Sequence, residues 1–213
     1  MQGVLDRLNQ FLLRPLDIRS RLLLVGAAVL LAAVYVAPLW NLTMFAPQYP
    51  DGLRLDIYSD GLKGGNNNQD IREINVLNHY IGMRDLADAD FTEFKWLPFA
   101  VGVLLLLYLR ASVLGTVGKL VDVLVLNIYF SAFALWSFGY RMYVYGHTLS
   151  PTAAVKVAPF MPPLFGYKQL ANFHVYSYPQ AASYAMAVSS LMLVTAFVVA
   201  WRADRRRARE AAR

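Results

Sequence analysis

The chain reads as an all-α membrane protein, with four transmembrane helices beneath an extracytoplasmic cap made of two long loops. Three observations predict this. Of 213 residues, 57% are hydrophobic and only 16% charged, with a mean hydropathy of +0.39, whereas soluble domains carry about 25% charged residues. The charges are segregated from four apolar stretches that approach the roughly 20 residues a helix needs to cross about 30 Å of hydrocarbon. Lys and Arg gather at the two ends of the chain and in one short connection.

Residues 1–20 place Val4, Leu5, Leu8, Phe11 and Leu12 on one helical face, opposite Asp6, Arg7 and Arg14. This pattern predicts a helix lying in the cytoplasmic interface and ended by Pro15. The first span, 21–40 (LLLVGAAVLLAAVYVAPLW from Leu22), is read as a retained signal anchor. It has a basic flank and Ala37 near its end, as a cleavable leader would, but an uncleaved span gives an even count with both basic ends on one side.

The first outer loop, 41–96, is large enough for a small domain. APQYPDGL predicts a turn, Leu53 to Tyr58 an alternating strand, and GLKGGNNNQD a flexible turn. DIREINVLNHYIGM predicts a helix with Asp70 as N-cap, Glu73 as its capping-box partner and Gly82 as its terminator. Phe94 and Trp96 anchor the return to the bilayer. The second span is 97–113, the cytoplasmic connection 114–119 and the third span 120–140. The second outer loop, 141–181, is rich in aromatics and contains five prolines, which argue against long regular structure. The fourth span, 182–201, precedes a basic tail, 202–213.

Orientation follows from the basic residues. Arg7, Arg14, Arg19, Arg21, Arg110, Lys119 and six arginines from Arg202 to Arg213 flank one side, while the first outer loop is rich in carboxylates. The positive-inside rule then puts both termini in the cytoplasm and both long loops outside. The expected location is the inner membrane of a bacterium. The net charge of +6 expresses this topology and an attraction to lipid surfaces, with no call for nucleic acid. No cysteine is present, which excludes disulfides, thiolate metal sites and a lipoprotein anchor. No Ser–His–Asp order, phosphate-binding glycine loop or dinucleotide fingerprint occurs, so an enzyme is not expected.

All three histidines, His79, His147 and His174, fall in the outer loops, and Met44, Met83, Met142 and Met161 lie in or beside them. Imidazole and thioether donors suit soft and borderline metals, copper above all. His79 and Met83 stand at i and i+4, a spacing that shares one helical face, and Asn75 lies one turn earlier, in position to orient the imidazole. The plainer alternative has His79 hydrogen-bonding and Met83 packing in the cap. His147 and His174 are candidate partners, although no HxxxH or HxH pairing joins two imidazoles locally. Asp122 is an ionisable group at the start of the third span, with Lys119 as a pairing partner and structural anchoring as the simpler role. Lys168 and Gln169 form a polar pair suited to an anion, a partner or the aqueous rim. Asp85, Asp88, Asp90 and Glu93 either attract cations or form a solvated loop.

The pieces APQYPDGL, INVLNHYIGM, YGHTLSP and PPLFGYKQLANF resemble an uncharacterised family of small bacterial inner-membrane proteins, encoded beside accessory factors of nitrous-oxide reductase, a periplasmic copper enzyme. The resemblance covers both outer loops and the four-span layout. It maps His79 and Met83 onto NHYIGM, His147 onto the YGH element and Lys168 onto KQL, and it leaves His174 outside the pattern. Relatives in that family often carry a second histidine shortly after YGH, where this chain has only Thr152. The family has no established activity to carry over.

The resulting expectation is a non-catalytic accessory protein that binds or relays copper on the periplasmic side through His79, Met83, His147, Met161 and His174, for maturation of a copper enzyme. The alternative is a structural or assembly subunit of a larger membrane complex, with no metal of its own. In that case the second outer loop is a protein interface, exposing Tyr143, Phe160, Phe165, Tyr167 and Tyr176.

Overall fold

The computed structural model describes residues 2–170 and 173–211; Asn172, Arg213 and the side chain of Val4 lie outside the described set. Among the described residues, four helices are long and apolar enough to cross a membrane: Ile18–Tyr35, Glu93–Leu114, Val117–His147 and Ala181–Glu210. The chain is a multi-pass membrane protein. It is not purely all-α, because the segments between the helices also build a five-stranded antiparallel sheet. Long segments between helices must pair their backbone N–H and C=O groups somewhere, and here strands do so.

The elements in order are α1 (Gln2–Leu13), α2 (Ile18–Leu31), a 3-10 turn (Ala32–Tyr35), β1 (Trp40–Ala46), β2 (Tyr49–Ile57), β3 (Leu62–Gly64), α3 (Gln69–Tyr80), α4 (Glu93–Leu114), α5 (Val117–His147), β4 (Gly166–Leu170), β5 (Phe173–Pro179) and α6 (Ala181–Ala211). The first apolar run is therefore a helix, a turn and, from Trp40, the start of a strand. The other three long helices overrun their hydropathy limits.

The chain divides into two compact units. One comprises Met1–Ala33, Phe99–Ser131 and Ala185–Arg213. Here α1 ends ahead of Pro15, which cannot continue a helix. Phe11 meets Phe197 edge-on at 6.4 Å, Arg14 pairs with Asp204, and the Leu16 amide donates to the Gly115 carbonyl at 2.5 Å. Asp17 caps α2 by accepting from the Ser20 amide at 3.1 Å. Small residues let α2 and α6 approach closely: Ala27 is fully buried, and the Ser189 hydroxyl donates to its carbonyl at 2.8 Å. Buried Tyr108 donates to Asn127 Oδ1 at 2.5 Å, and Asn127 Nδ2 donates to Ser190 Oγ at 2.9 Å. That chain satisfies the polar groups internally where a bilayer offers no water. Lys119 and Asp122 pair at 3.3 Å, the anchoring expected of them.

The other unit comprises Val34–Pro98 and Ala132–Tyr184. Its strands run in the order β3-β2-β1-β5-β4, every neighbouring pair antiparallel. β1 is central, paired with β2 from Trp40↔Ile57 to Ala46↔Tyr49 and with β5 from Trp40↔Pro179 to Phe45↔His174. One face buries Leu42, Leu53, Leu55, Leu62, Phe173 and Val175 with Ile74 and Leu77 of α3.

Asp70 is not the N-cap of α3. Asn68 holds that position in a left-handed conformation, following Asn66 and Asn67 in the same region, which asparagine tolerates better than most residues. Asp70 is instead buried in the first turn. Its carboxylate accepts from the Arg54 amide and from Asn66 Nδ2, each at 2.8 Å, pinning β2 to the turn. Gly82 follows the helix at φ +79°, the terminator role expected of it.

Candidate functional site

β5 shows how the sheet divides its two faces. Successive strand side chains point to opposite sides. Phe173, Val175 and Ser177 are buried, while His174, Tyr176 and Tyr178 are exposed. The register extends the exposed set across three strands: Tyr176 sits between Tyr167 of β4 and Thr43 of β1, and His174 between Gln169 and Phe45. Four rings form a connected array, and a further pair joins β5 to the residue just before β4. Tyr176 meets Tyr167 at 5.0 Å and Phe45 edge-on at 5.7 Å, Tyr167 stacks on His174 at 5.8 Å, and Phe165 meets Tyr178 at 5.4 Å.

Beside the rings lies a polar strip. Asn41 Nδ2 donates to Asp56 Oδ1 at 2.8 Å, Thr43 donates to Asn41 Oδ1 at 2.9 Å, and Arg54 Nε pairs with Asp56 Oδ2 at 2.9 Å. β4 stands at the end of the strand order, so the aromatic array reaches a sheet edge. Lys168 on β4 is exposed, and its ammonium donates to the Met161 carbonyl at 2.7 Å.

The five expected copper donors are not gathered. His79 is exposed in the last turn of α3. Met83 does not share a helical face with it, because α3 ends at Tyr80 and the left-handed Gly82 turns the chain away; Met83 packs against the buried sheet core, and Asn75 does not orient the imidazole. Both functional ends of the Asn75 amide hold Leu86, donating to its carbonyl at 3.2 Å and accepting from its amide at 2.8 Å. The Tyr167 hydroxyl and His174 Nδ1 share a 2.6 Å hydrogen bond. Met161 is half-buried. At the end of α5, His147 Nδ1 donates to the Tyr143 carbonyl at 2.9 Å, with the two rings stacked at 3.8 Å. That bond fixes the tautomer and turns the lone pair to Nε2, as in metal-ligating histidines. Among the described residues, no three His, Asp or Glu side chains form a group able to hold a metal ion. The acidic run is largely spent on structure: Asp88 accepts from the Leu62 amide at 2.9 Å, and Glu93 is bound by Arg141.

The sequence motifs instead join parts of the fold. Gly82 of NHYIGM accepts from the Ser150 amide of YGHTLSP at 2.7 Å. Gly146 accepts from the Phe160 amide at 3.0 Å, and a Cβ on Gly146 would run into the Phe160 carbonyl. Tyr49 of APQYPDGL donates to Glu73. That hydrogen bond, with a second from Gln69, pulls the Glu73 carboxyl below its usual range and pushes the Tyr49 phenol up.

Two features escaped sequence reasoning. The exposed aromatic array had a legible signal, the strict alternation in FHVYSYP. The Glu93–Arg141 clamp had none, since the partners are 48 residues apart. No protein-family model, curated protein or solved structure matches the chain.

Proposed function

We propose that the chain is a non-catalytic subunit of a membrane complex, docking a protein partner on the exposed aromatic face of its sheet. The array of Phe45, Tyr167, His174 and Tyr176, with the Phe165–Tyr178 pair, carries this reading. Tyrosine-rich, pre-stacked surfaces lose little side-chain entropy on binding and are enriched at interfaces. The basic flanks Arg7 to Arg21, Arg110, Lys119 and Arg202 to Arg213 support an orientation with both termini in the cytoplasm and the sheet outside, in the periplasm of a bacterial inner membrane. A photo-crosslinking residue at Tyr176 in native membranes tests the reading. It should capture one discrete partner that the same probe at exposed Asp60 does not; equal or absent capture contradicts docking on this face.

A second reading retains copper on a reduced donor set, His79 and His147. Two observations favour it: the Ser150–Gly82 hydrogen bond ties the two histidine-bearing segments together, and His147 presents its Nε2 lone pair. The resemblance to proteins encoded beside copper-enzyme accessory factors points the same way. Copper titration of the purified protein decides it. Stoichiometric binding abolished by either His79→Ala or His147→Ala supports the reading, and binding indifferent to both removes it.

A further inference from the structure

The outer half of α5 carries a second unpartnered surface, separate from the sheet face. Phe133, Trp136, Tyr140, Tyr143 and His147 follow one another at intervals of three, four, three and four residues. Phe133, Trp136, Tyr140 and Tyr143 are 46%, 62%, 53% and 50% exposed, and His147 is exposed as well. Three of the four successive pairs are in ring contact: Phe133 and Trp136 lie 5.8 Å apart, Trp136 and Tyr140 5.7 Å, and Tyr143 and His147 3.8 Å. Trp96 of α4 braces Phe133 at 5.5 Å.

Lipid alone does not account for this stripe. Aromatic belts sit at the membrane interface, a layer of roughly 5–7 Å on each side of the hydrocarbon. The stripe rises through 14 residue steps from Phe133 to His147, about 21 Å at 1.5 Å per residue. The spacing keeps the rings on one face of the helix, where they can form the seam of a left-handed helix pair.

We infer that α5 pairs with α5 of a second copy of this chain, about a two-fold axis along the membrane normal. Copies inserted by the same rule share one orientation, so the pair is parallel and each ring meets its own counterpart. Such self-pairing needs no charge complementarity. The stripe has no acidic or Lys/Arg member, and Arg141, within the same stretch, is turned to Glu93. With about 200 Å² per ring side chain and half of it exposed, the stripe offers about 500 Å² per copy. A pair then buries about 1,000 Å², the threshold for a specific interface.

The absence of native cysteine allows a clean test in native membranes. Tyr140→Cys and Tyr143→Cys, made singly, should form an oxidant-induced disulfide dimer of twice 23.9 kDa. Leu135→Cys, 65% exposed but off the stripe, should form at least fivefold less. Because either substitution removes a ring, native mass spectrometry of the unaltered protein in mild detergent provides the second measurement, with the dimer expected. Equal crosslinking at Leu135, crosslinks only to another protein, or a strictly monomeric unaltered protein would overturn the inference.

Discussion

Removing the Arg141 guanidinium should destabilise the sheet-bearing unit by about 2 kcal/mol. Arg141 Nε donates to Glu93 Oε1 and Nη2 to Oε2, both at 2.9 Å, while the Ser137 hydroxyl donates to Oε1 at 2.7 Å. This two-pronged geometry is the strong form of the interaction. Breaking one partner of a fully buried pair costs about 3–5 kcal/mol, and an exposed pair contributes under about 1 kcal/mol. At 27% and 19% side-chain exposure, this pair lies between those limits, nearer the buried one. Arg141→Ala leaves the Glu93 carboxylate with two neutral hydroxyl donors, Ser137 and, at 3.4 Å, Thr92, so about 2 kcal/mol follows, a fall of about 4–8 °C in the unfolding midpoint at this chain length. Arg141→Lys keeps the charge and loses the fork, and should cost about half as much. Thermal unfolding in detergent, run as a double-mutant cycle with Glu93→Ala, isolates the coupling. Strict additivity of the two single substitutions would refute the assignment.

Three further outcomes follow. Glu73, whose carboxyl is held below its usual range, contributes stability that is complete above the unfolded value of 4.5 and lost as pH falls through the lower folded value. Tyr49, pushed up, contributes stability that is complete below 10.0 and lost above its folded value. Tyr49→Phe should therefore flatten both limbs of the stability–pH curve, and an unchanged acid limb would contradict the contact. Gly146→Ala gains about 1 kcal/mol of helix propensity but drives a methyl into the Phe160 carbonyl. Overpacking costs typically 1–3 kcal/mol and backbone yields poorly, so net destabilisation and faster proteolysis within residues 151–163 are expected; equal or greater resistance argues against the close approach. Asn127→Leu removes the acceptor of the buried Tyr108 hydroxyl and should cost about 1–2 kcal/mol, within reach of the largest intramembrane hydrogen-bond couplings. Adding Tyr108→Phe should recover most of that loss in the same unfolding assay.

The four helices were legible because a bilayer demands long apolar runs, and composition alone reports them. β1 was hidden because Trp40 ends an apolar run that hydropathy merges into one span, although Pro38 and the alternation beyond it mark a change of state. β4 and β5 were masked by the prolines of the second outer loop, which in fact lie before β4 or at the end of β5. The period-two pattern of FHVYSYP was readable and outweighed by that proline count. Asp70 looked like a cap by spacing, yet its carboxylate is committed to Arg54 and Asn66, a tertiary use that no local pattern encodes. The i, i+4 relation of His79 and Met83 needs one helix through both, and α3 ends at Tyr80 with Gly82 left-handed before Met83. An exposed imidazole and a core-facing thioether follow from the burial pattern of the helix and sheet together, which spacing along one helix cannot supply.

Docking on the aromatic sheet face is tested most directly by purification in mild detergent of the unaltered protein beside Tyr167→Ser/Tyr176→Ser/Tyr178→Ser, with subunit stoichiometry and copper content measured on both. The unaltered protein should retain a partner subunit in fixed ratio without copper, and the triple variant, equally folded by thermal unfolding, should lose that subunit. A partner retained by the variant, or an unaltered protein that purifies alone with stoichiometric copper, would contradict the proposed function.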